Sequence, residues 1–384
     1  MSYVRIIDMT TDVITAQRPI GAAFVGGGFM AAVHSRAAVS ARATLVGVAS
    51  SSAGSAERAT AELGLGLAYG HPDELFADEA VDTVHIVTPN ATHADYATAA
   101  MDAGRNVICE KPLATTVEDA ERLVARAAEA GVTATVPFVY RYHPMVREAR
   151  ARVAAGDLGT LLTIQGSYLQ DWLLTQTDDD WRVDSRLGGP SRAFADIGSH
   201  LCDLVEFVTG DRITRLAATK RTVFPSRATN REVDTEDSVA LVVETATGAI
   251  GTVLVSQVAP GRKNQLAIEI AGSAASIRFD QEQPESLWLG RRSGSTLLVR
   301  DTELLSSDAA RLSIVPAGHP MGYQDAFNAF VADSYAAARG EIREGLPTFV
   351  DGLRAVRLTA AVLESDASGE WVDVPAFEPM GVTA

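Results

Sequence analysis

The chain has 384 residues, 47% of them hydrophobic, and a formal net charge of −16. That length supplies roughly two or three domains with cores of their own, and the charge would repel nucleic acid and an anionic membrane surface overall, so neither is expected as a partner. Its two cysteines, Cys109 and Cys202, offer no disulfide framework, and no apolar run approaches the ~20 residues that span a bilayer.

Residues 1–19 read as an N-terminal arm without the long apolar segment of a signal peptide, so a cytoplasmic protein is expected. An apolar run at 20–25 is followed by Gly26-Gly27-Gly28-Phe29-Met30-Ala31 and a helical stretch to about Ser40. Strand, glycine turn and helix in that order form a dinucleotide-binding turn. Gly26 permits the tight turn, Gly28 lets a pyrophosphate approach, and the helix start at Phe29 and Met30 offers free N–H groups. A second strand at 44–49 ends in Ser50-Ser51-Ser52, with no Asp or Glu before Glu57. An acidic residue there would bind the ribose hydroxyls of NAD. Ser50, Ser51 and Arg58 can instead accept a 2′-phosphate, which tilts the expected cofactor slightly toward NADP. The alternative is a serine-rich helix cap that leaves NAD open.

Alternation continues with helix 56–63, strand 67–69, a short helix at 72–76 and a strand at 81–87. That last strand ends in Thr88-Pro89-Asn90, placing these residues and His93 at its carboxyl edge on the cofactor side, although His93 could equally cap or pack. The run Val107-Ile108-Cys109 then stops at Glu110-Lys111-Pro112, because Pro112 cannot donate to a ladder and biases Lys111 away from helix. A lysine at the carboxyl end of such a strand can meet a reacting hydroxyl. A capping pattern at Thr115-Thr116-Val117-Glu118 and a strand at 132–136 complete a doubly wound parallel sheet over 20–138.

From 139 to 384 the pattern changes to α+β. Strands at 160–168, 213–223, 238–244, 250–258, 265–271 and 276–280 lack intervening helices, which predicts a large, mainly antiparallel open sheet. One helix at 195–207 interrupts them and sets Asp196, His200 and Asp203 on one face at spacings of four and three. Asp196 is expected to orient the His200 ring, and His200, near neutral pKa, to act as a base. A satisfied core histidine is the structural alternative. No further His or Cys stands at ligand spacing, so no metal is expected. Helices at 323–339 and 349–364 close the chain.

The motifs Gly26-x-Gly28-x-x-Ala31, Thr88-Pro89-Asn90-x-x-His93, Glu110-Lys111-Pro112, Tyr140-Arg141-Tyr142-His143-Pro144, Trp181-Arg182 and Asp196-x-x-x-His200 occur in one order. From about residue 20 onward the chain resembles the glucose-fructose oxidoreductase / inositol dehydrogenase / rhizopine-catabolism (Gfo/Idh/MocA) family. The stretch Tyr168-Leu169-Gln170-Asp171-Trp172 is similar to the levoglucosan-dehydrogenase-like branch. The resemblance implies a nicotinamide-dependent oxidoreductase of sugars or polyols, with Lys111, Asp196 and His200 catalytic and Glu110 shaping the nicotinamide pocket. It further implies a homo-oligomer, dimer or tetramer, through the open sheet. Lys111 comes from one half of the chain and His200 from the other, so the substrate is expected between them. Arg141, Tyr168, Gln170, Asp171, Trp172, Arg182 and His319 are candidate hydroxyl-binding residues. Two other readings stand beside this one: a non-catalytic dinucleotide-binding regulator, and a redox-assisted glycoside-converting enzyme with a tightly held cofactor.

Overall fold

The structure is a computed structural model that describes residues 18–375, so the expected arm lies outside the described residues except for Arg18 and Pro19. In the first half β1 (Gly21–Val25), α1 (Phe29–Ser40), β2 (Thr44–Ala49), α2 (Ala53–Leu63), β3 (Leu67–Tyr69), α3 (Pro72–Ala77), β4 (Thr83–Ile86), α4 (His93–Asp102), β5 (Asn106–Cys109), α5 (Val117–Ala130) and β6 (Ala134–Thr135) alternate. The strands pair in parallel in the order β3-β2-β1-β4-β5-β6. The direction of winding reverses between β1 and β4, and ligands of such sheets bind in the crevice opened there at the carboxyl ends. Strands β1 and β4 are buried throughout, which is why they read as unbroken apolar runs rather than as alternation.

In the second half come α6 (Pro144–Ala154), β7 (Leu161–Leu169), α7 (Ser185–Gly188), α8 (Ser199–Thr209), β8 (Ile213–Arg221), β9 (Ser238–Thr245), β10 (Ile250–Ser256), β11 (Gln265–Gly272), β12 (Ser276–Asp280), β13 (Ser286–Arg291), β14 (Gly294–Val299), α9 (Ser307–Leu312), α10 (Tyr323–Ala338), α11 (Phe349–Ser368) and β15 (Val372–Asp373). Nine strands form one sheet in the order β14-β13-β12-β11-β7-β10-β9-β8-β15, antiparallel except where β7 meets β10. Strands β13 to β15 carry little sequence signal, since β14 is exposed along almost its whole length and β15 has two residues. Along β9 and β10 the alternation is regular: Val239, Leu241, Val243, Val253 and Val255 are buried under α8, while Val242, Ile250 and Leu254 stand on the opposite, open face.

The last two helices tie the sheets together. On α10, Phe327, Phe330 and Tyr335 pack with Phe24, Val33 and Ile108 of the first sheet and its α1. On α11, Phe349, Leu353 and Val356 join Val107, Cys109 and Leu123, whereas Leu358, Ala361 and Val362 enter the core beneath the nine-stranded sheet. Each buried large apolar side chain contributes about 1.5–3 kcal/mol, so these two helices hold the sheets in a fixed relation. No helix of the described residues is long and apolar enough to cross a membrane.

Candidate active site

At the crevice, Gly26 has φ +105°, and a Cβ there would lie 2.8 Å from the Val87 carbonyl oxygen, so the turn admits only glycine. Gly28 is different: nothing lies within 4 Å of where its Cβ would be. That open space sits at the amino terminus of α1, whose cap has no side-chain partner and whose first turn has no acidic residue. Free N–H groups and the positive end of a helix dipole thus face open space that a pyrophosphate can approach, and the residues fit a dinucleotide. At the end of β2, Ser52 caps α2 and Ser50 Oγ meets Ser55 Oγ at 2.9 Å, while Ser51 is exposed. The Arg58 guanidinium reaches back along α2, with Nη1 3.7 Å from the position of a Cβ on Gly54.

Beyond β5 the peptide bond Lys111–Pro112 is cis. Lys111 Nζ donates to Asp196 Oδ1 at 2.6 Å and to the Asp196 carbonyl at 2.8 Å. The other carboxylate oxygen, Asp196 Oδ2, accepts from Gln257 Nε2 at 2.7 Å, and Arg182 Nε stands 3.7 Å from Oδ1. Burial would raise the Asp196 pKa, but the Lys111 and Arg182 cations outweigh it and hold the carboxyl at about 2. Glu110, at the other side of Lys111, accepts the Lys111 backbone N–H through Oε2 at 3.0 Å.

His200 departs from expectation. Residues Phe194–Gly198 form a π-helical turn, in which Ser199 N–H donates to the Phe194 carbonyl, before α8 begins. An i→i+5 turn breaks the four-residue register that would have set Asp196 under His200. Both Asp196 oxygens are taken by other groups, and His200 Nδ1 is buried without a protein partner. Burial, reinforced by the Lys111 cation, pushes His200 down to about 3, so the ring is uncharged at neutral pH rather than poised near it. Tyr140 crosses it edge-on at 5.1 Å between ring centroids.

A second polar group adjoins this one. Tyr140 and Tyr168 share a hydrogen bond of 2.6 Å, Tyr168 donates to Asn264 Oδ1 at 2.7 Å, and Gln170 Nε2 donates to the same oxygen at 2.8 Å. Trp172 Nε1 closes the series by donating to Gln170 Oε1 at 2.8 Å. Tyrosine, amide and indole groups of this kind recognise hydroxyl-rich ligands, because each can both orient and satisfy an oxygen.

Residues 20–138 match the family model "Oxidoreductase family, NAD-binding Rossmann fold", and residues 146–278 match the GFO/IDH/MocA C-terminal domain. The chain belongs to this oxidoreductase family. Levoglucosan dehydrogenase of Pseudarthrobacter phenanthrenivorans is 30% identical over 323 residues, covering 78% of this chain and 81% of that protein. A solved levoglucosan dehydrogenase in complex with NADH and L-sorbose has a TM-score of 0.88 at 28% identity, covering 94% of this chain and 100% of the other. An inositol dehydrogenase homolog complexed with NAD+, from Azotobacter vinelandii, gives 0.84 at 29% identity over 93% of this chain and 98% of the other. Named relatives include NAD(+)- and NADP(+)-linked sugar and polyol dehydrogenases, and this protein is an oxidoreductase of that class.

Within the family frame, Glu110, Lys111, Arg182, Asp196 and His200 come together, and Tyr168, Gln170 and Trp172 adjoin them. Other expected residues turn elsewhere. Arg141 is buried in an ion pair with Asp203 and Asp351, and its guanidinium covers the Phe207 ring at 4.9 Å, which leaves it no role in holding a hydroxyl. The Asp203 carboxylate is thereby engaged by Arg141 within the core. Asp171 binds Lys263 Nζ at 2.7 Å and Gly261 N–H at 3.0 Å, fixing a surface loop. His319 is exposed, and its carbonyl accepts from Arg300. His93 is fully buried with its ring nitrogens 2.8 Å from the Pro112 carbonyl and 2.9 Å from that of Thr88, one of which its single N–H can serve, so it packs between the strand ends rather than facing a cofactor. Asn90 Nδ2 donates to the Gly188 carbonyl at 2.8 Å and ties the β4 edge to α7. Asn264 and Gln257 are not signalled by sequence. Both lie at the ends of open-sheet strands, and only the three-dimensional convergence of those ends marks them.

Proposed function

We propose that the protein oxidises a secondary hydroxyl of a sugar, glycoside, anhydrosugar or polyol, with the hydroxyl held between Lys111 and His200. The observation that supports it most is the Lys111–Asp196 pair, contributed by both halves of the chain, beside an uncharged His200 and a row of hydroxyl and amide groups. A bound nicotinamide supplies the hydride acceptor. Lys111 exchanges the hydroxyl proton, and Asp196 holds its nitrogen at the point where charge develops on the oxygen. His200, uncharged at neutral pH, orients the hydroxyl. Asn264, Gln170 and Trp172 contact the remaining hydroxyls. A proton-transfer group of this kind is surplus to a dinucleotide-binding regulator, which weighs against that alternative. A panel of sugars, glycosides, anhydrosugars and inositols, read by reduced-cofactor absorbance, tests the reading; no turnover with any member would overturn it.

For the cofactor, Ser50, Ser51 and Arg58 at the end of β2, with no carboxylate among them, favour NADP over NAD. For assembly, Val242, Ile250 and Leu254 on the open sheet face favour association of two copies through that face. Light scattering on the purified protein tests this, and a monomer at micromolar concentration would remove it.

A further inference from the structure

Behind the lysine runs a chain of four buried polar side chains that the reaction itself does not use. Glu110 Oε1 lies 3.0 Å from His34 Nε2, His34 Nδ1 lies 2.9 Å from His85 Nδ1, and His85 Nε2 lies 2.7 Å from the Tyr335 hydroxyl. The groups come from four elements: the end of β5, α1, β4 and α10. Both histidines are fully buried, Tyr335 is 2% exposed and Glu110 7%. Phe24 stacks on His85 with ring centroids 4.9 Å apart, and Phe327 crosses His34 at 4.6 Å, so the chain is sheathed in apolar rings.

We propose that Tyr335, His85 and His34 form a directed hydrogen-bond chain that holds Glu110 as a carboxylate, making Tyr335 a positioning residue for Lys111. The direction follows from counting donors. Among the described residues the Tyr335 hydroxyl has one polar partner, His85 Nε2, so its hydrogen must go there or go unpaired in a dry site. His85 Nε2 is then an acceptor, and its single proton sits on Nδ1 and points to His34 Nδ1. His34 in turn carries its proton on Nε2 and donates to Glu110 Oε1, and because Oε2 accepts the Lys111 backbone N–H, both oxygens receive hydrogens and the carboxylate is the form that satisfies them. Every atom in the series is satisfied in that arrangement. If Glu110 were protonated and donating to His34, each bond would reverse and the phenol hydrogen would have nowhere to go. Burial pushes His85 well below the usual imidazole range, in keeping with an uncharged link, and Glu110 lies below the usual carboxylate range despite burial because His34 and Lys111 offset it.

The chain stops at a buried phenol, so it is no conduit for protons to solvent. Its effect is local. Glu110 Oε2 takes the Lys111 backbone N–H, and a fixed carboxylate fixes the start of the strand end from which the lysine reaches Asp196. Besides His34 on α1, the groups facing Glu110 are Lys111, Cys109, His93 of α4, Arg182, His200 of α8 and Tyr323 of α10. A substitution at Tyr335 alone replaces none of these groups.

The inference rests on the reading of Lys111 as the proton-transfer group, and its test is made separable from that reading. In the cofactor-free protein, the protonated-carboxyl infrared band that disappears in Glu110→Gln is followed with pH. Tyr335→Phe keeps the ring and removes the directing hydrogen, so Glu110 should take up its proton about one pH unit higher, a tenfold change in that equilibrium. The acidic limb of kcat/KM should move by the same amount. Ser334→Ala is the control, because it deletes another buried hydroxyl of α10, the one bonded to Thr135, outside the chain. It should lower the melting temperature without moving either titration. An unmoved Glu110 band in Tyr335→Phe, or an equal shift in Ser334→Ala, overturns the chain as a charge-holding device. A moved band with an unmoved acidic limb overturns its connection to Lys111, whereas near-normal turnover of Lys111→Ala counts against the catalytic reading alone.

Discussion

Lys111 Nζ donates twice to one residue, at 2.6 Å to the Asp196 carboxylate and at 2.8 Å to the Asp196 carbonyl, across 85 positions of sequence. The lysine leaves the carboxyl end of the first sheet and the aspartate sits in the π-helical turn before α8, so this pair joins the two sheets at the point where they meet. Two donations to one residue leave the ammonium one further hydrogen for a ligand oxygen.

Lys111→Ala is expected to lower turnover by about 100-fold or more, the usual scale for a positioned acid–base group. Cofactor affinity, measured by fluorescence titration, should change far less. Steady-state rates on one good substrate decide the matter, and a variant with near-normal turnover removes Lys111 from the chemistry.

The pH dependence separates the two candidate bases. With His200 held down to about 3, its protonation falls outside the range between pH 5 and 9. His200→Ala should cost about 100-fold in rate through lost orientation yet keep any alkaline rise. In Lys111→Ala that rise should disappear. A flattened profile in His200→Ala would restore the imidazole as the titrating base.

Folding stability should fall on the acid side. His200 at about 3 and His143, which burial pushes down to about 4, are uncharged when folded and protonate freely when unfolded. The unfolded chain therefore binds more protons below the ordinary imidazole pKa of about 6.5, and stability drops as pH falls from there toward about 4. Each such histidine contributes up to about 1.4 kcal/mol per pH unit. Denaturant midpoints at pH 7 and pH 5 measure this, and His143→Phe should show a shallower dependence than the parent.

Arg141→Leu is predicted to destabilise the fold by about 3–5 kcal/mol, because it strands the buried carboxylate of Asp203, and the half-buried one of Asp351, without their cation. The Michaelis constant of whatever protein remains folded should change less than threefold or so, an effect under about 1 kcal/mol. A large rise in that constant with unaltered stability would return Arg141 to the substrate site.

NADP is predicted to be used at least as efficiently as NAD, and Arg58→Ala to lower the efficiency with NADP by about tenfold, or about 1.4 kcal/mol, while sparing NAD. Ratios of kcat/KM on one substrate are the measurement. A tenfold preference of the parent protein for NAD would leave Ser50 and Ser51 as the approach to the Ser52 helix cap.

What the sequence by itself determined was everything carried by local chemistry and short-range pattern. The apolar runs, the glycine turn at Gly26 and Gly28, and the abrupt strand end at Lys111-Pro112 each depend on a few neighbouring residues, so the parallel sheet and the lysine were legible. The strands of the open sheet were legible where one face is buried, as in β9, and illegible where neither is, as in β14. Only the tertiary structure decided what each polar side chain faces. Asp196 lost its expected partner to a π-helical turn that no residue spacing announces, and Arg141 was drawn inward by carboxylates 62 and 210 positions away. Asn264, Gln257 and, beyond Glu110 itself, the series through His34 and His85 to Tyr335 have no motif at all. A buried polar group must find its partner wherever the chain crossing brings one, and that crossing is a property of the packed cores rather than of any segment within them.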